Sequence, residues 1–103
     1  MNLEKIRTDY PKGYKILNEW FFSKYQFDLD NLTRLPDYRV QYDFFDGLGI
    51  IMEVLYYKKP TKQFGYIVTH VWDYFQGRTN TRTEAETEGF MKCFSILESR
   101  ENE

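Results

Sequence analysis

Thr81-Arg82-Thr83-Glu84-Ala85-Glu86-Thr87-Glu88-Gly89-Phe90-Met91-Lys92-Cys93-Phe94-Ser95-Ile96-Leu97-Glu98 reads as a capped, amphipathic helix. Thr81 with Glu84, or Thr83 with Glu86, has the spacing at which a hydroxyl and a carboxylate satisfy the free N–H groups of a helix start. The glutamates that follow suit the positive end of the helix dipole. Ala85, Gly89 and Cys93 form a ridge of small residues at spacing four, flanked by Phe90, Phe94 and Leu97. A helix with such a ridge can lie close against a sheet. The expected fold class is therefore α+β, a small antiparallel sheet packed against two or three helices and ending in a C-terminal helix.

The sheet is sought upstream. Gly49 to Tyr57 and Phe64 to Trp72 are rich in β-branched and aromatic residues, and the polar, proline-containing Lys58-Lys59-Pro60-Thr61-Lys62-Gln63 between them reads as a hairpin loop. Gly77-Arg78-Thr79-Asn80 reads as the connection to the last helix. Towards the N-terminus, Tyr14, Leu17, Phe21 and Tyr25 recur at helical spacing, Ile16 and Trp20 widen the stripe, and Pro11 fits a first turn, so a helix is expected from about Pro11 to Tyr25. Gln26 to Leu35 reads either as a short strand or as a docked loop. Asp37 to Asp46 fits a strand through Val40, Tyr42 and Phe44, with Asp46-Gly47 as its turn, or a helix through Val40, Phe44 and Leu48. The helix is preferred, because Pro36-Asp37 suits its start and Gly47 or Gly49 its end.

Length and composition restrict the function classes. At 103 residues the chain is read as one domain, 1–103, with a single core and little room for a deep active site. Nine Tyr, nine Phe and two Trp make up 19% of it, more rings than so small a domain can bury. The leftover aromatic surface is the compositional hint of a binding face. A formal net charge of -2 excludes polyanion binding by bulk charge. One Cys excludes an internal disulfide, and with one His it excludes an ordinary Cys/His zinc site, so no metal or cofactor is expected. No apolar run reaches the roughly 20 residues of a membrane span, and the start lacks a signal-peptide core. The expected location is the cytoplasm.

Catalytic constellations are sparse. His70 lies on a strand beside Val68 and Trp72, where a packed structural role outweighs that of a general base. Ser23, Ser95 and Ser99 fall on helices without a Gly-x-Ser-x-Gly turn. Cys93, in the small-residue ridge, is expected to be buried and inert. Asp28-Leu29-Asp30-Asn31 matches the start of a calcium loop, but Thr33 and Arg39 stand where it needs Gly and Glu. Asp43 and Asp46 would share a helical face and could form an acid/base pair or hold a divalent ion, but Asp46 is read as helping to end the helix and Asp43 as solvated. The chain is expected not to be an enzyme.

Two resemblances bear on function. Tyr42-Asp43-Phe44-Phe45-Asp46 followed by Gly49-Ile50, together with Thr81-Arg82-Thr83-Glu84-Ala85-Glu86 followed by Phe90, Lys92, Phe94, Ile96, Leu97 and Glu98, resembles small uncharacterised proteins encoded by bacterial prophages and mobile elements. The resemblance implies a setting rather than an activity, transfers no functional residue, and supports the helix over the first motif. Separately, Lys62-Gln63-Phe64-Gly65-Tyr66-Ile67-Val68-Thr69 is similar to the aromatic strand of RNA-recognition motifs except at Gln63 and Thr69, with Phe27-Asp28-Leu29-Asp30-Asn31-Leu32 as a degraded first strand. That resemblance implies base stacking on Phe64 and Tyr66 with Lys58, Lys59 and Lys62 holding phosphates. These five are the candidate binding residues. The competing expectation is that the first helix, through Trp20, Phe21 and Tyr25, covers the face of Phe64, Tyr66, Val68, His70 and Trp72 and makes it core. The preferred reading is a protein that binds another protein, a host factor or a second copy of itself, and the alternative is a single-stranded nucleic-acid binder.

Overall fold

The computed structural model of the chain describes residues 3–32, 35–58, 62–71 and 73–102. Among these, helices α1 (Leu3–Asp9), α2 (Pro11–Tyr25) and α3 (Tyr38–Gly47) precede strands β1 (Ile50–Tyr57), β2 (Gln63–His70) and β3 (Asp73–Thr79), and helix α4 (Arg82–Glu101) ends the order. The strands form one antiparallel sheet in the order β1-β2-β3. The fold is α+β. The chain divides into two compact units, Tyr38–Cys93 and Met1–Asp37 with Phe94–Glu103, so α4 contributes to both.

In the unit 38–93, α3 is a helix, as its Pro-Asp start and Gly end suggest, and Gly49 at φ +76° makes the left-handed turn into β1. Alternation then sorts the sheet into two faces. Ile50, Met52, Phe64, Tyr66, Val68, Phe75, Gly77 and Thr79 share one face by register, and Ile50, Met52, Val68 and Thr79 on it are buried. α4 lies here at close range: a Cβ on Gly89 would stand 3.0 Å from the Met52 sulfur, and Lys92 Nζ sits 3.9 Å from the centre of the Phe75 ring. Phe90 joins α4 to α3, stacking on Tyr38 and Phe45 and meeting Tyr42 edge-on at 4.8 Å. Sequence alone assigned the cover of this face to the helix of Trp20, Phe21 and Tyr25. Within the sheet's own unit, the cover comes from α4 and α3, because Gly89 and Ala85 lack the bulk that would hold a helix away.

The start of α4 follows its cap chemistry. Thr81 Oγ1 accepts the Glu84 N–H at 3.1 Å while its hydroxyl donates to Glu84 Oε1 at 2.9 Å. Of the two cap pairs that the spacing allowed, Thr81 with Glu84 is the one formed. Gly77 to Thr79, read as a connection, belongs instead to β3. Trp72, read as the end of the second strand, lies outside the described residues, and Val71 before it takes φ 57°, a value rare for a β-branched side chain, in a stretch of sequence with none of the residues that usually announce a tight hairpin.

The other unit is built on α1 and α2. Leu3, Ile6, Tyr14, Leu17, Leu29 and Leu35 are buried together with Phe94, Ile96 and Leu97 from the second half of α4, and Tyr10 stacks on Phe94 with ring centres 6.1 Å apart. The α1 helix went unread, since seven residues are too few for periodicity to show. Pro11 opens α2, but Tyr10 before it offers no side-chain cap. Glu98 supplies one from the far end of the chain, accepting the Gly13 N–H at 2.7 Å and the Lys12 N–H at 3.2 Å. A carboxylate at a helix N-terminus is favoured both as acceptor and by the dipole. Glu98→Ala is expected to cost about 1 kcal/mol, read as a lower melting temperature, with Glu98→Gln losing less because one acceptor oxygen remains. An alanine variant that melts like the parent would show that water replaces this cap without loss.

Candidate functional site

The candidate residues of the β1–β2 hairpin do not point to one place. Lys58 and Lys62 are exposed at the two ends of the loop, and Lys59 lies outside the described residues. Phe64 and Tyr66 are half-buried on the face that α3 and α4 cover. Phe64 packs against Tyr56 across the strands, ring centres 5.0 Å apart. Tyr66 lies over Gly77, where an added Cβ would meet its ring at 2.6 Å, and its hydroxyl is pushed up from the ordinary tyrosine range by burial and by Glu88. The degraded first strand is not a strand: Leu29–Asn31 is a 3-10 turn, because Asp28 turns its side chain back to accept the Asp30 N–H at 2.9 Å.

That turn is the centre of a polar network in the unit of α1 and α2. Asn18 on α2 donates to Asp28 Oδ1 at 3.0 Å and accepts the Leu29 N–H at 2.8 Å. Tyr14 donates its hydroxyl to Asp30 Oδ1 at 2.6 Å, and Arg7 Nη2 reaches the same carboxylate at 3.0 Å while its guanidinium lies over the Tyr14 ring. The N–H of Asp30 and the amide of Asn18 hold Asp28 below the usual carboxylate range, so it is ionised near neutral pH. The Asp28 and Asp30 carboxylates thus hold the 3-10 turn against α2.

Above this network α2 ends in rings. The stripe of Tyr14, Leu17, Phe21 and Tyr25 is buried at its first two positions and emerges at the last, Tyr25 being 44% exposed. Phe22 is 52% and Phe27 43% exposed. Tyr25 packs on Phe21 at 4.7 Å and edge-on to Trp20 at 6.3 Å, and the Lys24 ammonium lies over both Trp20 and Tyr25. Beside them Asn18, Glu19, Phe22 and Asp28 line a surface cavity of about 380 Å³. The helix closes with Gln26 in the left-handed region at φ 59°, its N–H bonded to the Phe22 carbonyl. This surface was signalled only by the aromatic excess. The helical spacing placed Phe21 and Tyr25 on the buried stripe, whereas the core stops at Leu17.

The catalytic candidates stay scattered. His70 is half-buried, across the ladder from Ile50 and Asp73, and Asp43 and Asp46 are exposed on α3. Cys93 is fully buried, and burial, aided by Asp46, pushes its thiol up to about 12. Among the described residues, no group of three or more His, Cys, Asp or Glu side chains is placed to hold a metal, and no helix is long and apolar enough to cross a membrane.

Fold and surface together define a small α+β protein with a three-stranded antiparallel meander and an exposed aromatic helix end. Compared with protein-family models, curated proteins and solved structures, the chain matches none.

Proposed function

We propose that this chain is a non-enzymatic protein that works in the cytoplasm by binding another protein, in the phage or mobile-element setting that its two sequence motifs suggest. The observation that carries the reading is the exposed ring surface of Phe22, Tyr25 and Phe27 at the end of α2. Tyrosine and phenylalanine rings bring contact area at little entropic cost, Tyr25 is held by Phe21 and Trp20, and exposed rings near one another in the chain suit an interaction surface. Glu19 and the ionised Asp28 in the cavity beside Phe22 suit a partner that presents an apolar segment with a basic side chain. The nucleic-acid alternative has less support, since Phe64 and Tyr66 face the helices and the net charge is -2.

Paired measurements test the reading. In affinity capture from host lysate, the parent protein is expected to enrich a partner that a Phe22→Asp/Tyr25→Asp variant loses while keeping its melting temperature. Labelled single-stranded RNA and DNA are expected to bind no tighter than about micromolar at near-physiological salt, because Lys58, Lys59 and Lys62 can neutralise only about three phosphates. Tighter binding that vanishes in Phe64→Ala or Tyr66→Ala would replace the protein-binding reading with the nucleic-acid one.

A further inference from the structure

β3 is an edge strand, and its outward groups can be identified. His70 and Asp73 are ladder partners with only two residues between them in the sequence, the spacing at which such partners form the hydrogen-bonded pair that closes a hairpin. The register then alternates without interruption to Phe64 opposite Thr79. Asp73, Phe75, Gly77 and Thr79 therefore spend their backbone groups on β2, and Tyr74, Gln76 and Arg78 point theirs outward. The same three residues share the sheet face opposite α4, and all three are exposed, Tyr74 at 65%. The strand has no proline, lysine or bulge of the kind that blunts an edge.

We propose that this edge pairs with β3 of a second copy of the chain, antiparallel, about a two-fold axis at Gln76. The edge complements itself in one register. With Gln76 opposite Gln76 of the second copy, each Tyr74 stands directly across from an Arg78, and the outward groups of the two strands close about six main-chain hydrogen bonds. Both Tyr–Arg pairs gain cation–π contact, and the central amides pair with each other. Arg78 is already held on this face, its guanidinium 4.3 Å from the centre of the Tyr57 ring, which lies over Gly65. Moving the axis to Arg78 would set two guanidinium groups against each other, and moving it to Tyr74 would leave Arg78 without a partner strand residue. The other outer strand lacks this property: on β1 the same face carries Glu53 mid-strand, and antiparallel self-pairing about the strand centre would bring it near its own copy. The edge lies in the unit 38–93 and makes no use of the α2 rings, so it and the ring surface stand or fall separately.

Sedimentation over about 5 to 500 μM, the range in which a small interface dissociates, reads the result. The parent is expected to rise from 12.6 kDa towards twice that mass. Tyr74→Lys, which sets an ammonium against Arg78, is expected to weaken association about tenfold or more with unchanged circular dichroism. Gln76→Cys is expected to form a disulfide-linked dimer on mild oxidation, since paired residues lie about 5.5 Å apart between Cα atoms, while Glu53→Cys on the same face stays monomeric and the buried Cys93 does not react. A parent that remains at 12.6 kDa throughout, or a Tyr74→Lys dimer as tight as the parent's, or cross-linking of Glu53→Cys as efficient as that of Gln76→Cys, would overturn the proposal.

Discussion

Replacing Gly89 by leucine is expected to lower the melting temperature by roughly 5–15 °C, the equivalent of an overpacking cost of about 1–3 kcal/mol in a domain of this size. Gly89 is buried, and its Cα faces Met52 so closely that a single added Cβ would stand 3.0 Å from the sulfur and 3.1 Å from Cγ. A methionine end can shift a few tenths of an ångström, and alanine also favours the helix over glycine by about 1 kcal/mol, so Gly89→Ala is expected to change little. Leucine carries three further carbons into the same gap, which the buried Met52 already fills. Part of the loss is expected to return in the Gly89→Leu/Met52→Ala double variant, which opens space where the new side chain enters. Thermal melts of the four proteins decide it, and a leucine variant as stable as the parent would mean that α4 does not lie on Met52.

Stability is expected to fall steeply above about pH 9, through two acids that burial keeps neutral. Cys93 is raised from 9.0 to about 12 by burial and then by Asp46, and Tyr42 from 10.0 to about 12 by burial and then by Glu86. In the unfolded chain both would release their protons near their ordinary values, while the folded chain retains them to about pH 12. Between those limits the unfolded state binds fewer protons, so the stabilising contribution is whole below about pH 9 and is lost as pH rises to about 12. For the fully buried Cys93 the loss is on the order of 4 kcal/mol, and the partly exposed Tyr42 adds to it in the same direction. Denaturant melts at about pH 8 and pH 11 measure the fall, and Cys93→Ala is expected to flatten it despite a small cavity cost at neutral pH. Equal parent stability at the two pH values would contradict the burial of both groups.

Much of the sheet side was legible because its signals are local. Thr81 and Glu84 are three residues apart, the small ridge repeats every four, and the β-branched runs around the Lys58–Gln63 loop alternate with the pleat. The α3 helix was legible through its Pro-Asp start and glycine end against a competing strand alternation. β3 was not, because Gly77 within it and Val71 before it run against strand and hairpin preferences. Val71 is held at positive φ because the β2–β3 ladder and the contact of Phe75 with Lys92 of α4 outweigh its local cost.

The candidate site divides along the same line. From the sequence, Phe64 and Tyr66 share a face; whether that face is open depends on which helix approaches it, and approach is governed by contacts such as Gly89 on Met52, between residues 37 positions apart. The aromatic excess implied leftover surface rings, but their place at the end of α2 depends on where burial stops along the helix, after Leu17, which helical spacing alone does not encode. The sequence by itself determined the α+β class, the start of α4 to within two residues, helices α2, α3 and α4 and the β1–β2 hairpin, because hydrogen-bond satisfaction and alternation act over a few residues. Only the tertiary structure decided the cover of the sheet, the capping of α2 by Glu98, the outward set of β3 and the exposed rings, because each is set by which distant residues compete for the same buried space.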